Sequence, residues 1–375
     1  MNEYEEYEET YSQDEIDLIS LGKPYYENEK YEDTIDIFLE LINLNPDNYE
    51  GWHYLGMSYA QIKEYEKAIG FLLKAIEYNP EEELDWCWLG YSYYKNEQYQ
   101  EAINSLLKAV KLNPDDEYNW YWLGRSYEDN EQYKESIECL LKAVELNPNN
   151  EYNWHWLAHS YFQNKQYEEM EAALLKAVEL KPDYCDCRYG LILSYKKIED
   201  FINEIETCKQ LIKLNPDDDR GWKYLGQAYY DNKQYEEAID YLLEAIELNP
   251  DDEYNWYWLG CSYYKNNKHQ KAIESLLKAV ELNPNDEYNW LWLGNSYIGL
   301  KDYNNAIQSY EKGIEINSTN CNMLNNYGVD LANLNRIEEA KKCFEKALEI
   351  DSDYNLAREN IDNLISSGIC KVSIL

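Results

Sequence analysis

Two histidines four residues apart, His155 and His159, share one side of a helical stretch and could supply two ligands to a metal ion. The segment reads His-Trp-Leu-Ala-His, which lacks the Glu of a zincin helix, and no third ligand is readable. Cys185 and Cys187 bracket one residue without a second Cys or His pair, so they read as cysteines at ordinary helix positions. Acid runs such as Asp115-Asp116-Glu117 and Asp217-Asp218-Asp219 lack both the ligand spacing and the Gly of a calcium loop. They fall where helices start, and caps and the helix dipole favour acids there. No Gly-rich phosphate loop and no nucleophile elbow occurs. The expectation is a protein that is not an enzyme and holds no metal and no cofactor.

The bulk composition narrows the partners. Lys and Arg number 34 against 73 Asp and Glu, a net charge of −39 over 375 residues, and that field repels a nucleic-acid backbone. Hydrophobic residues make up 45%, with 40 Tyr and 12 Trp, which marks a folded chain and not an acidic disordered one. No stretch approaches the roughly 20 apolar residues of a membrane span. Residues 1–14 are an acidic tail, unlike the basic and then apolar start of a signal peptide. A soluble, cytoplasmic protein is expected, with its nine scattered Cys as reduced thiols.

Pro46, Pro80, Pro114, Pro148, Pro182, Pro216, Pro250 and Pro284 are each 34 residues from the next. Windows set by this proline number ten, starting at Glu15, Tyr49, Glu83, Glu117, Glu151, Cys185, Asp219, Glu253, Glu287 and Cys321 and ending at Tyr354, without insertion or deletion. Within a window the 3.6-residue period predicts two helices. Window positions 4, 7, 8 and 11 recur as Trp, Leu, Gly and Tyr, as in Trp120, Leu123, Gly124 and Tyr127. The second helix carries small and apolar residues at 20, 24 and 27, such as Ala102, Leu106 and Ala109. Gly and Ala let the helices approach, and Trp and Tyr are expected to fill the space between hairpins. A lone hairpin cannot bury both faces, so stability comes from stacking.

This pattern, W-x-x-L-G-x-x-Y followed by A, L, A and P, resembles the tetratricopeptide repeat over residues 15–354. The resemblance implies an all-α, right-handed superhelical solenoid of helical hairpins whose first helices line a concave groove. Residues 355–375 then form a capping helix and a short tail. Leu356, Ile361, Leu364 and Ile365 should face inward, and Arg358, Glu359, Asp362 and Asn363 outward. The window from Cys185 departs from the signature with Arg188, Ile192, Glu204 and Cys208, and is expected to be a weak joint.

The remaining faces of the first helices, at window positions 2, 5, 6, 9, 12 and 13, carry aromatics where an ordinary surface helix is polar. They include Tyr91, Tyr94, Tyr118, Tyr121, Tyr152, Tyr230, Tyr254, Tyr257, Tyr264 and Tyr288, with Trp at position 6. These rings either pack hairpin on hairpin or present a binding face; the hydroxyls at positions 5 and 12 are expected to reach open groove. Arg125, His155 and His159 share the face, and Lys196, Lys197, Arg220 and Lys223 form a candidate basic spot. The Lys and Asn run by which some relatives clamp a C-terminal carboxylate is found in no three successive windows. The reading is a protein-interaction scaffold whose acidic, aromatic groove takes a peptide or helical segment of basic or mixed charge, drawn in by the field and by cation–π contact. The same features suit a solenoid that binds a glycan or small polar ligand, or a non-catalytic regulatory subunit. No nucleic-acid or membrane partner is expected, and the sequence leaves the oligomeric state open.

Overall fold

The computed structural model describes residues 11–366, and every regular element among them is a helix. The chain forms two compact units that part between Ser194 and Tyr195. In the first, the hairpins are Gln13–Glu27 with Tyr31–Leu44, Tyr49–Gln61 with Tyr65–Tyr78, Glu83–Lys95 with Tyr99–Leu112, Glu117–Asp129 with Tyr133–Leu146, and Glu151–Gln163 with Tyr167–Leu180. The helix Cys185–Lys197 carries the boundary. The second unit continues with Phe201–Leu214, then Asp219–Asp231 with Tyr235–Leu248, Glu253–Lys265 with His269–Leu282, Glu287–Gly299 with Tyr303–Ile316, Cys321–Asn333 with Ile337–Ile350, and last Asn355–Ser366. Within each unit a first helix packs on its own second helix and on the first helix of the next hairpin, which is the stacking of a helical solenoid.

The core is the stripe that the period marks. Leu55, Leu89, Leu123, Leu157, Leu225, Leu259 and Leu293 are at most 1% exposed, facing Ala68, Leu72, Ala102, Leu106 and their equivalents. The glycine at position 8 is a packing requirement, since a Cβ on Gly124 would stand 2.6 Å from Leu140 Cγ. Trp at position 4 differs from expectation. Trp120 is half-buried, and its indole N–H donates to the Pro114 carbonyl at 2.8 Å. The same bond recurs from Trp52, Trp86, Trp154, Trp222, Trp256 and Trp290 to the preceding proline, so Trp and Pro together close these seven inter-repeat turns. In the divergent window Arg188 takes this role, its Nη2 donating to Pro182 O at 2.8 Å.

A polar residue occupies a core position that periodicity alone assigns to the surface. Asn119, Asn153, Asn255 and Asn289, at window position 3, are at most 1% exposed. Asn119 donates to Glu83 and Asn153 to Glu117, so the acid at position 1 of one repeat accepts from the next. Glu15 accepts from Asn45 at 2.7 Å and Asn48 at 3.0 Å. Burial alone would raise its pKa, but these bonds and those from Ser12 outweigh it and hold the carboxyl near 2. At one junction the polarity reverses. Tyr49 stands in place of the acid and Asp85 in place of Asn, with the Tyr49 hydroxyl donating to Asp85 Oδ2 at 2.9 Å and His53 Nδ1 2.7 Å from Oδ1.

The turns within hairpins share one geometry. Ten residues from Glu29 to Asn335, one per hairpin and none of them Gly, adopt φ between 57° and 66°. The N–H after each closes back on the helix, as Gln98 does on Tyr93 O at 2.9 Å. At the start of first helices the acid clusters act as caps, with Asp116 Oδ1 accepting from Tyr118 N at 2.7 Å. The final helix turns a somewhat different side inward. Ala357 and Asn360 are fully buried, while Leu356, Ile361 and Leu364 are only half-buried, and Asn360 donates to Asn325 at 2.8 Å. The side chain of Ile365 and most of the acidic tail lie outside the described residues.

Candidate partner-binding face

In the first unit the aromatic side chains of successive first helices interlock. Trp122 meets Tyr91 at 4.8 Å, Tyr121 at 5.0 Å and Tyr94 at 5.2 Å between ring centroids. Tyr91, Tyr94 and Tyr121 are thereby half-buried. The Tyr94 hydroxyl donates to Asp129 Oδ2 and accepts from Arg125 Nη2, both at 2.6 Å. Burial and then the Asp129 carboxylate hold its pKa well above the usual phenol value. Arg125 is 9% exposed and lies flat on Trp156, its guanidinium carbon 3.1 Å from the ring centroid, with Glu128 and Asp129 each 3.5 Å away. That is a cation held between an aromatic face and two acids.

The two histidines do not converge on a common point. His159 Nδ1 bonds Glu128, whereas His155 Nδ1 is 3.3 Å from Cys187 Sγ and its ring stacks on Tyr184 at 5.2 Å. Burial, then the neighbouring His159, lowers the His155 pKa to about 4, so it is neutral at pH 7. Burial raises the Cys187 thiol to about 12. Among the described residues no three His, Cys, Asp or Glu side chains are grouped to hold a metal, and the cysteines are free.

The second unit repeats the interlock. Tyr230 and Tyr257 meet Trp258 at 5.2 and 5.3 Å, and Tyr264 meets Trp292 at 5.4 Å. Burial pushes the Tyr230 and Tyr257 hydroxyls far up. The rings at positions 5 and 12 thus pack against tryptophan, at position 12 that of the next repeat, and the Tyr94 hydroxyl is bonded between hairpins. Three of the four cations expected to form a basic spot have acid partners: Lys196 with Asp231 at 2.7 Å, Arg220 with Asp218 at 2.7 Å and Lys223 with Asp252 at 2.6 Å. Lys197 is exposed.

What stays open to solvent is position 2. Tyr118 is 62% exposed, Tyr254 51%, and Tyr152 and Tyr288 47% each, on helix starts fixed by the Asp and Asn caps. Cations cover the position 6 tryptophans, and of these sequence reasoning named Arg125 and Lys196 but missed Lys95 and Lys265. Lys95 lies 5.4 Å from the Trp122 centroid, Lys196 5.5 Å from Trp258 and Lys265 5.4 Å from Trp292, as Arg125 lies on Trp156. The signal of the two missed residues was available, since Lys95 and Lys265 stand at window position 13, next to the position 12 tyrosines Tyr94 and Tyr264.

No helix among the described residues is long and apolar enough to cross a membrane. No curated protein is similar enough in sequence to count as a relative. Several solved structures align with the chain at low identity. The APC/C hetero-tetramer Cut9–Hcn1 aligns over 92% of this chain and 95% of that one at 13% identity and a TM-score of 0.49. MamA 41-end from Desulfovibrio magneticus RS-1 aligns over 46% and 98% at 20% identity and 0.44, and a crystal structure of MamA over 43% and 95% at 25% and 0.41. Family models match more directly. Residues 69–143 and 241–313 match anaphase-promoting complex, cyclosome, subunit 3, and residues 31–60 a protein prenyltransferase alpha subunit repeat. Tetratricopeptide-repeat models match residues 49–82, 124–165, 152–184, 220–252 and 322–354. With these matches recurring along stacked helical hairpins that share the Trp, Leu, Gly and Tyr stripe, the chain belongs to the tetratricopeptide-repeat family.

Proposed function

We propose that the chain is a non-catalytic, cytoplasmic protein-interaction scaffold whose aromatic faces dock a segment of a partner protein. The observation that carries this reading is the set of exposed tyrosines at position 2, Tyr118 and Tyr152 in one unit and Tyr254 and Tyr288 in the other, large rings left in water on rigid, capped helix starts. Half-wet tyrosines of this kind anchor interfaces at small entropic cost. The partner segment is of basic or mixed charge, since a net charge of −39 steers cations toward the chain. Its cations meet tyrosine and not tryptophan, because Trp122, Trp156, Trp258 and Trp292 already carry the chain's own Lys and Arg. The likeness of residues 69–143 and 241–313 to a subunit of a protein complex is in keeping with a role in an assembly.

Intrinsic Trp fluorescence tests the reading. A Lys- and Arg-containing probe peptide is titrated beside a panel of oligosaccharides, against wild type and a variant carrying Tyr→Ala at 118, 152, 254 and 288. A saturable response to the peptide that the variant loses is the expected result. A response to sugars alone overturns protein docking in favour of a glycan-binding solenoid.

A further inference from the structure

The cations on the aromatic face differ in their counter-charges. Lys196 has Asp231 at 2.7 Å, and Arg125 has both Glu128 and Asp129. Lys95 is exposed and makes no ion pair among the described residues, with its Nζ 5.6 Å from the Tyr91 and Tyr94 centroids and 5.4 Å from Trp122. The one acid whose field reaches it, Asp129, is occupied by the Tyr94 hydroxyl and by Arg125. The other charges acting on Lys95 are Arg125 and Lys63, and both repel it. Partial desolvation, and then these two charges, hold its pKa below the ordinary lysine value. A lysine with three aromatic rings within 5.6 Å and no carboxylate partner contrasts with the acid-paired Lys196 and Arg125. An anion from outside supplies the counter-charge that the chain itself does not.

We propose that Lys95, ringed by Tyr91, Tyr94 and Trp122, is the subsite for an acidic side chain of the docked partner segment. This rests on the docking reading above and makes the segment one of mixed charge. The ligand is a carboxylate, whose single charge matches the single unpaired lysine. It comes from within the segment and not from its end, because aromatic surface continues on both sides. Tyr65 meets Tyr91 at 6.1 Å on one, and Tyr121 and Trp156 extend it on the other.

The probes are three acetylated and amidated peptides of Tyr and Lys residues that differ at one central residue, which is Glu, Gln or phosphoserine. The full-length protein is reductively ¹³C-methylated on lysine, and the Lys95 methyl signal is identified by its loss in Lys95→Gln. Expected are a Glu peptide that binds about fivefold tighter than its Gln twin and a Lys95 pKa that rises when it binds. The preference should disappear in Lys95→Gln and survive in Lys95→Arg. Equal binding of the Glu and Gln peptides, or a preference that persists in Lys95→Gln, overturns the subsite while leaving docking intact. Tighter binding of the phosphoserine peptide overturns the carboxylate assignment. If no peptide binds, the docking reading itself fails.

Discussion

Glu204 is the buried charge on which the divergent window turns. It stands where Ala68, Ala102, Ala238 and Ala272 stand in other repeats, and is 1% exposed. Burial, opposed by the Lys196 ammonium and reinforced by Asp231, raises its pKa from 4.5 to about 7. The folded chain therefore keeps a proton that the unfolded chain releases between pH 4.5 and 7, and stability falls as pH rises through that window. Two and a half pH units correspond to roughly 3 kcal/mol, fully expressed above pH 7 and absent below pH 4.5. Glu204→Gln keeps the shape and removes the charge. It should leave stability almost unchanged at pH 4.5 and raise it by up to about 3 kcal/mol at pH 8.5. Because repeat arrays open locally, the assay is hydrogen exchange of Cys185–Lys197 and Phe201–Leu214 at both pH values, corrected for intrinsic exchange. Wild type should open first in these helices at pH 8.5, and the variant should not. A variant effect of the same size at both pH values would refute a titrating Glu204, and protection equal to that of residues 83–150 at pH 8.5 would show that the window is no weak joint.

Asp330, fully buried with neither carboxylate oxygen hydrogen-bonded, is raised from 3.8 to about 8 by burial. Asp330→Asn should therefore stabilise the second unit increasingly from pH 4 to pH 8, and urea unfolding at a series of pH values checks it. Leu123→Ala should cost about 3 kcal/mol as a core cavity and Trp120→Ala about 2, since that ring is half-buried and loses its bond to Pro114; Tyr118→Ala should cost under about 0.5. Denaturation midpoints of the three variants separate core, turn and face. Glu97→Gly relieves a left-handed residue at φ 60° and should stabilise by about 1 kcal/mol; a lowered melting temperature would mean the side chain matters more than the backbone.

The helices and their hydrophobic stripe are legible in the sequence because both are local, set by spacings of three and four residues within one window. Leu123, Gly124, Ala102 and Leu106 need no knowledge of neighbours to be placed in the core. Asn119 does, since only a Glu83 side chain 36 residues earlier makes burial of its amide tolerable. The same distance separates a tyrosine that reads as free from one that is spent. Tyr94 at position 12 and Tyr118 at position 2 have the same chemistry, but only at Tyr94 does a later repeat supply Asp129 and Arg125 to claim the hydroxyl. Trp at position 4 reads as core because it is large and periodic, yet the indole N–H needs an acceptor and finds it at the edge, on the proline carbonyl. The final helix follows the same lesson. Asn360 reads as surface until Asn325 is placed beside it.

Near-identical repeats carry a hazard, because each can dock on the wrong neighbour while the chain folds. The segments at 117, 151, 253 and 287 all begin Glu-Tyr-Asn-Trp, so among them a skipped hairpin would find an almost equivalent acid and Asn. The junction of Tyr49 with Asp85 is the exception. Were the hairpin that starts at Glu83 to stack after any repeat that begins with Glu, Asp85 would meet a second carboxylate in a dry seam instead of a phenol and an imidazole. That mismatch gives the third hairpin an address within the array. Assembly from this end is therefore counted from a fixed point, and later repeats can remain interchangeable without the order of the whole being lost.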